Sequence, residues 1–199
     1  MTHSNVPLSC RCGALKGAVG NTSTLPSRRI VCYCDDCRRA SLHLEPSGAL
    51  LDEGGGTDIW QVTPNAVTFS EGQEHLRLLR LSPKGLFRWY AGCCNTPLAN
   101  TMSSPGFAFV GVPVNAIGGS DVAEAQIGPV QVGIYGKSAT GPTCSGTHES
   151  GSPKLLLGVV TQLISSRVRG HHRPSPFFDD AGAPVVSPEI APRDAELKT

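Results

Sequence analysis

Seven of the eight cysteines in this 199-residue chain fall into three tight groups. Cys10 and Cys12 are two residues apart. On a strand such a pair faces one side about 7 Å apart, and a tight turn closes that gap. Cys32-x-Cys34-x-x-Cys37 joins a second pair of this kind to a one-turn step. That last interval is the spacing of a zinc knuckle, because a turn brings residues i and i+3 together. The third group is Cys93-Cys94, in the turn-like segment Ala91-Gly92-Cys93-Cys94-Asn95-Thr96-Pro97. Thiolate sulfur is soft and zinc takes four ligands in a tetrahedron. A closed site of four cysteines is the common structural form, and three cysteines leave a position open for water or substrate. The spacing therefore predicts zinc. Three thiolates on Zn²⁺ leave one net negative charge, and Arg28, Arg29, Arg38 and Arg39 lie near enough in sequence to offset it.

Other readings of these cysteines fit less well. Isolated pairs are often small buried hydrophobes, but five cysteines in two tight clusters are hard to explain that way. A thioredoxin-like redox pair at Cys34 and Cys37 would want a βαβ context that the pattern lacks. Iron–sulfur spacings differ. Cys144 stands alone in a Gly/Thr-rich stretch and reads as a free thiol.

The elements that must position these groups are short. Residues 6–19 read as two strands around a turn that carries Cys10-Arg11-Cys12-Gly13. Residues 28–33 read as a buried strand, and 34–44 as a helix with Asp35 and Asp36 in its first turn. Residues 52–57 form a loop. Strands follow at 58–62, 66–69, 74–81, 85–90 and 107–114. This spacing, with Gly and Pro making up about a fifth of the chain, indicates a mainly β, antiparallel domain over residues 1–116. Residues 117–169 comprise a Gly/Ser/Thr-rich segment and a helix at 154–168. Leu156, Val159, Val160, Leu163, Ile164 and Val168 give that helix an apolar face expected to pack on the β domain. Residues 170–199 hold five prolines and no periodicity, and read as a loosely ordered tail pinned by Phe177-Phe178.

Composition narrows the function classes. A net charge of +1 argues against a nucleic-acid binder. No stretch approaches the ~20 apolar residues of a membrane span. The start lacks the basic and apolar regions of a signal peptide. A cytoplasmic address is the expectation, with reduced thiols and an idle Asn21-Thr22-Ser23 sequon.

The cysteine groups, in this order, resemble the glutathione-dependent formaldehyde-activating enzyme family, also called centromere-protein-V-like. Its C-x-C-G appears as Cys10-Arg11-Cys12-Gly13. Its C-x-C-x-x-C-R appears as Cys32-Tyr33-Cys34-Asp35-Asp36-Cys37-Arg38. Its C-x-x-C-G-T-P-L survives in part as Cys94-Asn95-Thr96-Pro97-Leu98. The resemblance spans residues 8–114 and marks a divergent branch. It implies a β-tent, small antiparallel sheets meeting over a structural zinc, and two zinc ions in all. Cys10, Cys12 and Cys94 would hold the structural ion. The family's remaining ligand falls on Ala91, which cannot coordinate, and Cys93 is the replacement, reached through an irregular backbone at Gly92. Cys32, Cys34 and Cys37 would hold a three-coordinate, catalytic-type zinc.

The resemblance implies carbon–sulfur lyase chemistry on thiol–aldehyde adducts such as S-hydroxymethylglutathione, with formaldehyde as the aldehyde and a small thiol such as glutathione as partner. Arg38 is the candidate for a substrate carboxylate. Gly54-Gly55-Gly56 reads as a turn, and His43, Asp35 and Asp36 are proton carriers by proximity only. The alternative is a non-catalytic zinc module whose C-terminal helix and tail bind a protein partner. That reading gains if Cys144, His171 or His172 supplies a fourth ligand to the second group.

Overall fold

Val6 and Leu8 are buried while Pro7 and Ser9 alternate outward, the period of two that a half-buried strand requires. The same logic produces short strands along most of the chain. In this computed structural model, which describes residues 5–20, 27–150 and 153–191, the elements in order are β1 (Val6–Ser9), β2 (Lys16–Val19), β3 (Arg28–Cys32), α1 (Asp35–Leu44), β4 (Thr57–Val62), β5 (Val67–Glu71), β6 (Leu76–Arg80), β7 (Phe87–Ala91), β8 (Thr96–Thr101), β9 (Val110–Pro113), α2 (Ser120–Ile127), β10 (Val132–Ile134), α3 (Pro153–Val168) and β11 (Glu189–Ile190). The Asn21-Thr22-Ser23 sequon and residues 192–199 of the expected tail lie outside the described residues.

The fold is mainly β, as the sequence predicts. One sheet has three strands in the order β1-β2-β5. The other has eight, in the order β10-β3-β4-β9-β8-β7-β6-β11. Pairing is antiparallel except at the two edges, where β10 lies parallel to β3 and β11 parallel to β6. The core between them is built on Trp60, Trp89, Leu8, Leu78 and Val112, each nearly sealed from solvent. Trp89 keeps its indole N–H satisfied by donating to Thr101 Oγ1 at 3.0 Å. Among the described residues no helix is long and apolar enough to cross a membrane.

Three features were not visible in the sequence. β8 follows directly on the cysteine turn, in a stretch read only as turn. β10 arises within the Gly/Ser/Thr-rich segment and extends the sheet beside β3, so the β architecture does not stop at residue 116. The stretch 170–191, expected to be loosely ordered, returns to the core. Phe177 is fully buried, its ring 5.2 Å from that of Trp89 and 5.8 Å from that of Phe69. The sequence did place Phe177-Phe178 as the anchor.

Helix α3 departs from expectation in the other direction. Its expected apolar face is only partly packed: Val160, Ile164 and Val168 are exposed, Val168 to 81%, as is Leu157 beside them. Val159 and Leu163 are half-buried, and Ser166 is the buried position. Leu156 lies outside the residues whose side chains are described.

A buried ion pair fixes α2 to the sheet. Arg29 on β3 donates to Asp58 on β4 through Nη2 at 2.7 Å, and to the carbonyls of Gly128 and Ser120 at 2.9 and 3.1 Å. These carbonyls flank α2, so one guanidinium ties both of its ends.

The C-terminal anchor yields a test. Phe177→Ala removes a fully buried ring and should cost about 3–5 kcal/mol. Urea denaturation followed by tryptophan fluorescence would measure this; a loss under about 1 kcal/mol would mean that the segment contributes little to the core.

Candidate metal centres

The first centre forms where two hairpin turns meet. Cys10 and Cys12 sit in the β1–β2 turn, which Gly13 closes with a left-handed φ of 75° and a hydrogen bond from its N–H to the Cys10 carbonyl. Cys93 and Cys94 sit in the β7–β8 turn. Its last residue, Asn95, adopts φ 55°, one of the few non-glycine types that tolerate this region. The irregular backbone that a change from Ala91 to Cys93 demands is therefore present: Ala91 is the last residue of β7, fully buried, and Cys93 is free of the strand's alternation.

All four sulfurs lie within 4.8 Å of one another. Cys12 Sγ is 3.3 Å from Cys93 Sγ and Cys10 Sγ is 3.6 Å from Cys12 Sγ. Cys10–Cys93 and Cys93–Cys94 are each 3.8 Å. A tetrahedral ion with bonds of about 2.3 Å to sulfur sets its ligand sulfurs about 3.8 Å apart. The spacing and the all-thiol donor set fit such an ion. Polar groups already face the sulfurs. The Leu15 N–H donates to Cys10 Sγ at 3.2 Å, and the Thr96 hydroxyl lies 3.1 Å from Cys94 Sγ. Burial raises the Cys94 thiol, but the hydrogen bonds from Thr96 and Cys12 outweigh it and hold the group at about 6. Arg11 adds positive charge nearby, with Nη2 donating to the Cys94 carbonyl and Nη1 to Glu45.

The second centre is local. Cys32 ends β3, Cys34 is the N-cap of α1, and Cys37 occupies its first turn. The cap explains the spacing: Cys34 Sγ accepts the Cys37 N–H at 3.4 Å, as an N-cap side chain does. Cys34 Sγ lies 3.4 Å from Cys32 Sγ, and the three sulfurs form one group. Hydrogen bonds from the Cys32 and Cys37 thiols pull the Cys34 thiol down to about 2 against the effect of burial, helped by the Cys37 N–H and the charge of Arg88. Hydrogen bonds with Cys34 and Cys37, together with burial, push the Cys32 thiol up. A helix N-terminus also favours the thiolate.

Among the described residues, no fourth Cys, His, Asp or Glu joins this group. None of the three residues considered for that role, Cys144, His171 and His172, is part of it. Cys144 pairs with Thr147, and its backbone N–H donates to the Tyr33 hydroxyl. His171 Nδ1 is buried without a partner, and His172 contacts Arg167. The three sulfurs instead line a cleft of about 640 Å³.

Two of the arginines nearest in sequence, Arg29 and Arg38, are engaged away from the thiolates. Arg29 is committed to Asp58. Arg38 donates to Asp35 Oδ1 and to the Ser138 carbonyl, both at 2.6 Å, so it is not a free fork for a substrate carboxylate. The cation that faces the site is Arg88 on β7. Its guanidinium is buried, with Nη1 3.9 Å from Cys37 Sγ and 3.3 Å from Asn100 Oδ1. Nothing in FRWYA marks Arg88 in the sequence beyond its placement at alternate register to the buried Trp89. His43 is exposed near the far end of α1 and does not line the cleft. Gly54-Gly55-Gly56 is a turn held by Asp52 Oδ1, which accepts from the N–H groups of Gly54 and Gly56. It approaches its own chain: a Cβ at Gly54 would strike the Pro142 carbonyl.

A model of a family of unknown function, DUF6151, matches residues 2–189. The chain belongs to the DUF6151 family. The match takes in β10, α3 and the Phe177 anchor, whereas the formaldehyde-activating resemblance rests on three motifs within residues 8–114. No match is found among curated protein sequences. Among solved structures, this DUF6151 chain is similar to a Rhodobacter sphaeroides protein determined as a Northeast Structural Genomics target. The two are 21% identical, with a TM-score of 0.41 over 62% of this chain and 96% of that one. That likeness is too loose to transfer a role.

Arg88 can be tested apart from any turnover. Arg88→Met keeps the stem and removes the charge facing Cys37. It should weaken metal retention by the three-cysteine group about 10- to 100-fold in chelator competition, with the four-cysteine group unaffected. Equal weakening of both would assign Arg88 a general structural part.

Proposed function

We propose that this protein binds two zinc ions, a structural one at Cys10, Cys12, Cys93 and Cys94 and a reactive one at Cys32, Cys34 and Cys37. The observation that supports this reading is the contrast between the groups. One presents four converging sulfurs between two turns; the other presents three, opening on a cleft. Zinc is favoured by an all-thiolate donor set with tetrahedral spacing.

The activity proposed is carbon–sulfur lyase-type chemistry on thiol–aldehyde adducts, of which S-hydroxymethylglutathione is the example implied by the motif resemblance. When bound, zinc supplies a Lewis-acid charge that favours thiolate over thiol and polarises a carbonyl oxygen. In the adduct-forming direction the thiol gives up its proton, its sulfur bonds to the carbonyl carbon, and the oxygen takes a proton. The reverse breaks the same carbon–sulfur bond. Arg88 lines the cleft beside Cys37, where its charge favours an anionic sulfur or oxygen. Because Asn100 Oδ1 accepts from Arg88, the amide is oriented and its NH₂ remains available as a donor. Asp36, exposed on the cleft lining, has solvent access for carrying a proton.

The exposed apolar row Leu157, Val160, Ile164 and Val168 on α3 favours a second reading, a zinc module that binds a protein partner through this helix.

Metal content with thiol competition separates the two. The enzyme reading expects two zinc ions per chain by mass spectrometry under native conditions, one of them perturbed by millimolar thiol. Cys12→Ser should abolish cooperative unfolding, since assembly of the four-cysteine site is coupled to folding. Cys34→Ser should leave a folded chain with one ion. Two ions that both resist thiol would sink the lyase reading, and equal thermal destabilisation of the two variants would contradict the division of labour.

A further inference from the structure

The lining of the cleft over Cys32, Cys34 and Cys37 speaks to what can enter it. At about 640 Å³ it falls within the range of roughly 300–1,000 Å³ typical of small-molecule sites. Its walls are apolar and come from separate parts of the chain: Ile30 on β3, Ile59 on β4, Met102 after β8, Phe109 before β9, Ile134 on β10 and Leu163 on α3. A contiguous apolar wall beside a reactive group marks a ligand groove rather than chance exposure.

Charge is distributed against an anionic guest. Asp35 and Asp36 stand exposed on the lining. Among the described lining residues Arg88 is the sole cation, and it is turned toward Cys37 and Asn100. Arg38, the other cation near the sulfurs, is taken up by Asp35 and Ser138. Glutathione carries two carboxylates and an ammonium. To bind here it would have to place both carboxylates in a cleft that carries the Asp36 carboxylate and whose lining cation, Arg88, already faces Cys37, and strip their water against aliphatic walls, which is costly without partners. An alkyl or aryl chain meets no such cost, and its burial is favourable in proportion to the area removed from water.

We propose that this cleft selects a thiol bearing an apolar chain or ring, in place of a charged peptide thiol such as glutathione. The proposal rests on the open three-cysteine site described above and narrows its substrate class. The apolar chain lies along Ile59, Phe109 and Leu163, and the thiol end meets the Cys32, Cys34 and Cys37 group beside Arg88.

The test uses the full chain loaded with zinc, titrated calorimetrically with ethanethiol, butanethiol, hexanethiol and glutathione. A parallel cobalt-loaded sample reports in its visible spectrum whether sulfur reaches the metal. Affinity should rise about two- to fourfold per added methylene, and glutathione should bind at least about tenfold more weakly than hexanethiol. Leu163→Asp and Met102→Asp should each bring the hexanethiol-to-ethanethiol affinity ratio toward one, while the cobalt spectrum without thiol confirms an intact site. If glutathione and all the alkanethiols shift the cobalt spectrum with equal affinity, the apolar selection is wrong and the open site stands. If no thiol shifts it, the open site itself is wrong, and this proposal falls with it.

Discussion

The convergence of sulfurs from opposite ends of the β architecture is the constraint on which the rest depends. Cys10 and Cys93 are separated by 83 residues yet their sulfurs lie 3.8 Å apart. The first belongs to a turn of the three-stranded sheet and the second to a turn of the eight-stranded one. Two such turns can meet only if each hairpin is tight, which Gly13 and Asn95 arrange, and only if the sheets share a core, which Leu8 and Trp89 help to build. Four thiols packed so closely repel as they ionise. A cation among them removes that repulsion and cross-links the sheets where the chain otherwise closes a long loop.

The second sulfur group obeys a different rule. Cys32, Cys34 and Cys37 lie within a single strand-to-helix junction, so no long-range closure depends on them. Their geometry is set by a cap: Cys34 takes the place that Ser or Asp usually fills at a helix N-terminus. A group assembled locally leaves one side free of protein, and here that side is the cleft. The four-cysteine and three-cysteine groups are thus separated by topology as much as by the number of sulfurs.

The sequence made the cysteine groups, the β1–β2 hairpin, β3 and α1 legible, because each is a local pattern with a local cause. What it hid was non-local. β8 follows a turn and carries Pro97 and Asn100, so its pattern reads poorly; its place is fixed by pairing with β7 and β9. β10 is three residues long and exists because β3 offers it an edge. Arg88 looks like any strand arginine until the fold sets it behind Cys37, whereas Arg29 and Arg38, closer in sequence, are drawn to Asp58 and Asp35. Proximity along the chain missed Arg88, because its approach to Cys37 is made by the fold and not by sequence distance.

The limits of the motif resemblance have the same physical origin. Its three motifs carry the clustered cysteines and end by residue 114. The cleft over the three-cysteine group draws, besides residues of the β domain, Ile134, Tyr135 and Ser138 from the β10 region and Val159 and Leu163 from α3, these five beyond that boundary and within the span of the DUF6151 match. Tyr135 even holds a left-handed φ of 61° at the cleft lining, a conformation that a bulky residue keeps only when its surroundings impose it. The cleft is therefore walled jointly by the β domain that carries the cysteines and by the later part of the chain. A shared set of cysteines argues for shared metal chemistry, but it carries little argument about the molecule on which that chemistry would act, because the cleft is walled by residues outside the three motifs, some of them, such as Ile134 and Leu163, beyond the span of the resemblance altogether.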